Sequence, residues 1–204
     1  KTENKKKEQL IAILNDHHIA HENDFEVLAY NSPYKVFNRR NEVVVSVNLN
    51  NKTNHMSLKN EKLYIGGGCF WCVEAVFQDV IGVEKVVSGY SGGLIKNPTY
   101  EQVSSGITKH AEVCEITYNP SAIELEQLLK IFFASHVPTT IDRQGNDVGA
   151  HYRSIVFFSD LNQKKVIEKI INELNEAIFD QKIVTHIQAF EAFYKAETYH
   201  QDYY

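Results

Sequence analysis

The segment Ile65–Phe77, "IGGGCFWCVEAVF", limits the fold more than any other part of this chain. Glycine weakens both helix and strand and favours turns, so "KLYIGGG" predicts a short strand ending in a turn. Beyond the turn, Phe70, Val73, Phe77 and Val80 recur at helical spacing, and the spacing predicts a helix beginning at Cys69. A strand, a tight turn and a helix start therefore meet at one cysteine.

The same alternation continues downstream. "VEKVVSGYSGG" reads as a strand entering a glycine loop, and "NPTYEQVSSGI" begins with a turn. "HAEVCEITYNP" is a strand with Ala111, Val113, Glu115 and Thr117 on one face and Glu112, Cys114, Ile116 and Tyr118 on the other. "IELEQLLKIFFASH" is an amphipathic helix, "TTIDRQGNDVGAHY" a Gly/Asp loop, "RSIVFFS" a buried-type strand and "NQKKVIEKIINELNEAIF" a helix. The aromatic tail "AFEAFYKAETYHQDYY" shows no clear period. This order predicts an α+β body over residues 60–204, a mixed β-sheet packed with helices in a two-layer sandwich. Upstream, residues 7–19 predict a helix, and "DFEVLAYN" and "NEVVVSVNL" predict two strands joined through Ser32-Pro33. The polar stretch 50–60 reads as a linker. Residues 1–55 are thus expected to form a small αββ appendage.

Composition removes several classes of function. The chain has 204 residues, 43% apolar and 23% charged, enough for a core without staples. No apolar run approaches the ~18 residues of a membrane span, so no membrane role is expected. Residues 1–60 carry nine Lys and Arg against seven Asp and Glu, and the remainder twelve against nineteen. An acidic body without a basic face predicts no nucleic-acid partner. No signal-peptide pattern opens the chain, and a cytoplasmic protein is expected, or an exported one if a signal was removed ahead of Lys1.

Three cysteines, one far from the other two, do not form a secreted disulfide framework. A close Cys-x-x-Cys pair points to redox chemistry or half of a metal site, but zinc needs about four ligands and the scattered histidines offer no matching pair. No metal is expected. A helix start favours an anion, so Cys69 is expected to be activated as a thiolate. Cys72 lies about one helical turn away, a spacing that allows a disulfide. The plainer alternative is two small buried hydrophobes. Phe70 shares the apolar face of the helix, whereas Trp71 does not and reads as a pocket wall able to hold a methyl group.

The motif "GCFWCVEAVF" resembles the signature of type A peptide methionine sulfoxide reductases. The likeness runs from about Leu63 to Tyr204 and includes "NPTYEQVSSGITKHAEV", "GNDVGAHYRS" and "FYKAETYHQDYY". The resemblance implies a ferredoxin-like (α-β plait) core and reduction of methionine-S-sulfoxide, free or in oxidised proteins. It makes Cys69 the nucleophile, Glu112 the acid, and Phe70 and Trp71 the holders of the substrate methyl group. It makes Tyr100 and Tyr152 hydrogen-bond donors to the sulfoxide oxygen, and Asp147 an organiser of the site. Many relatives carry recycling cysteines in a C-terminal tail, and this chain has none there. Cys72 is then the resolving residue, and a Cys69–Cys72 disulfide would be opened by a thioredoxin-like dithiol, with no bound cofactor. A monomer is expected. Glu74 is expected to be structural, pairing across the helix turn. His200 is expected to be a structural hydrogen-bonder, and Cys114 to fill a buried strand position.

Residues ~5–48, through "YNSPYKVFNRRNEV", are similar to the closing segment of SOUL-type haem-binding proteins, without an identifiable axial ligand. His17, His18 and His21 read as exposed polar histidines. Two rival functions stand beside the reductase: a general thioredoxin-like dithiol oxidoreductase, and a haem- or ligand-binding module built on residues 1–55.

Overall fold

The structure is a computed structural model that describes residues 21–29, 41–47 and 59–204. The helix expected over 7–19, the Ser32-Pro33 connection, His17, His18 and residues 50–58 of the expected linker lie outside the described residues. The chain divides into two compact units, Lys1–Asn54 and His55–Tyr204. In the first, β1 (His21–Ala29) and β2 (Asn41–Val47) pair antiparallel, with Phe25 opposite Val45 and Leu28 opposite Glu42. These are the two strands expected from the alternating pattern.

In the second unit, β3 (Glu61–Gly67) enters α1 (Phe70–Gln78), which returns to β4 (Val83–Ser91). A short α2 (Tyr100–Ser104) precedes β5 (Ala111–Tyr118) and α3 (Leu125–Ser135). A hairpin of β6 (Arg143–Gln144) and β7 (Asp147–Val148) leads to β8 (Ser154–Phe158) and α4 (Leu161–Leu174). The tail contributes β9 (His186–Ala189) and β10 (Phe193–Lys195). The six main strands form one sheet in the order β10-β4-β5-β3-β8-β9. Its four central strands, β4-β5-β3-β8, pair antiparallel and interleave two strand–helix–strand crossovers. This is the α-β plait expected. β9 joins parallel to β8, so the sheet is mixed.

The helices cover one face of the sheet. Leu63, Ile65 and Ile116 meet Phe70 and Phe77 of α1, Leu128 and Phe132 of α3, and Ile167 and Ile170 of α4 in one buried cluster. Each such side chain contributes about 1.5–3 kcal/mol by leaving water. The other face carries Tyr64, Ala111, Val113, Ile155 and Phe157, with Phe190 and Phe193 packed against it. The Tyr64 and Phe190 rings stack at 3.9 Å. The tail, which showed no period in the sequence, thus serves as a cover for the second face. Single rings dropped onto a sheet need no regular spacing, which is why no pattern announced it.

Gly66 is required by close approach: a Cβ there would stand 2.5 Å from the Glu112 carbonyl oxygen. His136 ties α3 to the sheet. It is placed 2.7 Å from the Phe132 carbonyl through Nδ1 and 2.7 Å from Ser154 Oγ through Nε2, and that hydroxyl lies 2.7 Å from Thr185 Oγ1. Burial pushes His136 down to about 4, so its ring is neutral, with Nδ1–H donating to the carbonyl and Nε2 accepting from Ser154. Among the described residues no helix is long and apolar enough to cross a membrane.

Candidate active site

Gly68 turns the chain with φ +97°, a left-handed backbone that a residue with a side chain adopts at a cost. The turn delivers Cys69 to the N-cap of α1, as the sequence predicted. The Cys69 carbonyl accepts from the N–H groups of Cys72 at 3.1 Å and Val73 at 3.4 Å, closing the first helical turn. Cys69 is half-buried and Cys72 is exposed, and both are thiols rather than a disulfide.

The expected activation of Cys69 by the helix start does not prevail. The hydrogen bond with Cys72 holds the Cys69 thiol well above its ordinary range, burial adds to this, and the charge of Glu112 pushes the same way. The Trp71 backbone N–H pulls in the opposite direction and is outweighed. A helix N-terminus lends a thiolate only local N–H groups and a partial charge, while removing the thiolate from water costs more. Cys69 therefore favours its thiol form.

Glu112 lies on the helix-facing side of β5, the side that its alternation gave it. It is 2% exposed. The Phe70 backbone N–H donates to Glu112 Oε2 at 3.1 Å. Two residues along the same strand face, the Cys114 thiol donates to the Phe70 carbonyl at 3.4 Å. One strand thus grips both ends of the residue that follows Cys69. Burial pushes Glu112 up to about 8; the Phe70 N–H opposes this, and the charge of Asp147 reinforces it. At neutral pH Glu112 is therefore mostly a carboxylic acid, which can donate a proton.

Tyr100 is the first residue of α2, whose start is fixed by a reciprocal cap between Thr99 and Gln102. Tyr152 ends a 3₁₀ turn, Ala150–Tyr152. Both are half-buried, and their hydroxyls hydrogen-bond to each other. Burial, and then the charge of Glu112, pushes both phenols up, so they remain donors. Asp147 is exposed on β7, and its charge acts on both Glu112 and Tyr152. The fold brings Glu112, Tyr100 and Tyr152 close enough to Cys69 for their charges to interact with it, and Asp147 close to Glu112 and Tyr152.

Phe70 is buried and Trp71 half-buried, their ring centroids 6.2 Å apart. The wall extends further than the sequence reading foresaw. Tyr203 stacks on Trp71 at 3.7 Å with 5° between ring planes. His200 sits 5.1 Å from Phe70, 5.5 Å from Trp71 and 4.6 Å from Tyr100. His200 was expected to be a hydrogen-bonder, but among the described residues neither ring nitrogen has a partner. Burial pushes the imidazole down, and it packs as a neutral ring. The density of aromatic residues in "ETYHQDYY" was the available signal for this wall.

Glu74 also departs from expectation. It does not pair across the helix turn. It faces inward, buried, toward the Ser88 hydroxyl and the backbone N–H groups of Asp202 and Tyr203. Burial pushes its carboxyl up. Glu74 follows Phe70 by four residues, which places it on the buried stripe of α1. Cys114 occupies the buried strand position expected of it. Among the described residues no group of three or more His, Cys, Asp and Glu is placed to hold a metal ion.

A thiol at a helix start, a second thiol within hydrogen-bonding reach and a buried carboxylic acid beside them define a cysteine-based reductase on an α-β plait. The chain belongs to the peptide methionine sulfoxide reductase family, whose model matches residues 61–204. It is 55% identical over 140 residues to peptide methionine sulfoxide reductase MsrA of Sulfolobus acidocaldarius, covering 69% of this chain and 79% of that one. It is 50% identical over 145 residues to the MsrA of Chromobacterium violaceum, covering 71% and 82%. Among solved structures it is similar to Mxr1 of Saccharomyces cerevisiae in reduced form, with TM-score 0.68, 34% identity and coverage of 71% and 84%. Methionine sulfoxide reductase A of Corynebacterium diphtheriae gives TM-score 0.68 at 32% identity over 71% and 73%. Mxr1 has also been solved in complex with Trx2; that structure matches at TM-score 0.51 and 24% identity over 76% and 91%.

Proposed function

We propose that this site reduces the S epimer of methionine sulfoxide, free or within oxidised proteins, to methionine. The observation that carries the reading is the buried Glu112 carboxyl, which accepts the Phe70 N–H beside Cys69 and which burial pushes up to about 8. Cys69 Sγ attacks the sulfoxide sulfur while Glu112 gives a proton to the oxygen, and the proton leaving Cys69 restores Glu112. Tyr100 and Tyr152 donate hydrogen bonds to that oxygen. The sulfur–oxygen bond of the substrate breaks as the hydroxyl moves to Cys69. Methionine leaves, its sulfur reduced by two electrons, and Cys69 becomes a sulfenic acid, oxidised by two. Phe70 and Trp71 enclose the substrate methyl group, and Asp147 helps to arrange the acid.

Cys72 then attacks the Cys69 sulfenic acid, forming the Cys69–Cys72 disulfide and releasing water. A thioredoxin-like dithiol opens this bond by thiol exchange and is itself oxidised to a disulfide. Binding of Trx2 by Mxr1 supports a donor of this class. No bound cofactor enters the balance. One chain supplies every group named, so a monomer suffices, and residues 60–204 form the catalytic domain.

The test is single-turnover reduction of separated R and S epimers by pre-reduced protein without added reductant. Methionine from the S epimer alone is expected, with Cys72→Ser still forming about one equivalent and Cys69→Ser none. No methionine from either epimer would sink the reading. Loss of turnover with both cysteine variants, alongside general disulfide exchange, would favour a dithiol oxidoreductase instead.

A further inference from the structure

Glu197 is outside the groups that the reaction uses, yet its carboxylate reaches the site. Oε1 accepts the Tyr100 backbone N–H at 2.9 Å, and Oε2 accepts the Tyr90 hydroxyl at 2.9 Å. The first N–H of a helix has no partner within the helix, so an outside acceptor determines how Tyr100 is held. A carboxylate suits the place because it offers one acceptor oxygen to each of these two donors. Burial works against the charge, but the surrounding N–H groups and the Tyr90 hydroxyl hold this carboxyl below its ordinary range.

Glu197 is itself firmly placed. The Ala196 N–H donates to the Ser88 carbonyl at 3.0 Å, and Gln201 Nε2 donates to the same carbonyl at 3.0 Å. Three residues beyond Glu197, the His200 ring lies against the Tyr100 ring. One tail segment thus holds Tyr100 twice, by its peptide and by its ring.

We propose that Glu197 is a positioning residue for sulfoxide reduction: by gripping the Tyr100 peptide, it sets the Tyr100 hydroxyl against Tyr152 and Glu112. The assignment rests on the reductase reading above. It requires an acceptor at Glu197 rather than a charge. In Glu197→Gln the amide oxygen can take the Tyr100 N–H, and the amide nitrogen can donate to a turned Tyr90 hydroxyl. Glu197→Ala leaves both donors without a partner.

The experiment is a double-mutant cycle on the full chain, reading the single-turnover rate on the S epimer. Wild type, Glu197→Ala, Tyr100→Phe and the double variant are compared, with Glu197→Gln alongside. Glu197→Ala is expected to slow the reaction on the order of 10- to 100-fold. In the Tyr100→Phe background the same change should cost less than about threefold, because sites acting through one group are not additive. Glu197→Gln should stay within about threefold of wild type. If Glu197→Ala does not fold, Glu197→Met fills the space without an acceptor and goes through the same cycle. Losses that multiply, or Glu197→Gln as slow as Glu197→Ala, overturn the assignment. An inactive wild type overturns the reductase reading instead.

Discussion

The backbone N–H of Phe70 and the carboxyl of Glu112 meet at 3.1 Å across 42 residues of sequence. That contact places the carboxyl of β5 against the residue that follows Cys69. Burial then decides the protonation state, pushing Glu112 up to about 8.

The pH dependence follows from this. In the proposed mechanism Glu112 acts while protonated, so the single-turnover rate should fall as pH rises through about 8. Glu112→Gln should remove that limb and slow the reaction on the order of 10²- to 10⁴-fold. Stability moves with the same sign. The folded state holds this proton more tightly than the unfolded chain, where a glutamate titrates near 4.5. The stabilising contribution is complete below that value and is lost as pH rises through about 8. Wild type should therefore lose thermal stability relative to Glu112→Gln between neutral pH and pH 9, read as the difference in Tm.

A second prediction concerns Cys114, which donates to the Phe70 carbonyl at 3.4 Å and is fully buried. Cys114→Ala removes a buried donor and leaves a small void. It should cost about 1–2 kcal/mol of unfolding free energy in urea titration. Cys69 and Cys72 remain, so one equivalent of methionine should still form. Complete loss of methionine by a folded Cys114→Ala would give Cys114 a redox role that the structure does not.

Much of this site was legible in the sequence, for reasons of period and turn chemistry. Alternation in "HAEVCEITY" put Glu112 and Cys114 on one face, and glycines followed by a 3.6-residue period put Cys69 at a helix start. Glu74 could have been read from the same period, since its spacing from Phe70 sets it on the buried stripe. Other features depend on contacts between distant segments. The raised Cys69 thiol depends on how Cys72 and Glu112 turn toward it, and no spacing encodes that. His136 joins a helix end to a strand and a loop. Tyr203 reaches Trp71 from the far end of the chain. These are consequences of packing, visible only once the sheet is assembled.

Gly66 offers a test of how tightly the two central strands must approach. A Cβ there would stand 2.5 Å from the Glu112 carbonyl and 3.0 Å from Ile155 Cγ2. Backbone cannot swing aside as a side-chain end can. Gly66→Ala should cost about 1–3 kcal/mol as overpacking, measured by urea unfolding. It should also shift the segment that carries Glu112, so the single-turnover rate of the folded variant should fall with it. A variant as stable and as fast as wild type would show that β5 yields without moving its acid.

Trp71 is the only tryptophan in the chain, so intrinsic tryptophan fluorescence reports on its surroundings alone. Tyr203 covers one indole face at 3.7 Å while remaining 52% exposed itself. Stacking of this kind is worth about 0.5–1.5 kcal/mol, enough to order the wall but not to fasten it. Tyr203→Ala should open Trp71 to water, red-shifting its emission and raising its quenching by acrylamide. If the stack shapes the methyl site, KM for methionine sulfoxide should rise several-fold, with a smaller change in kcat, because binding of the methyl group is common to the ground and transition states. Tyr203→Phe keeps the ring and should behave as wild type on both readouts. An emission shift without a change in KM would separate the stack from substrate binding and leave Phe70 and Trp71 as the wall on their own.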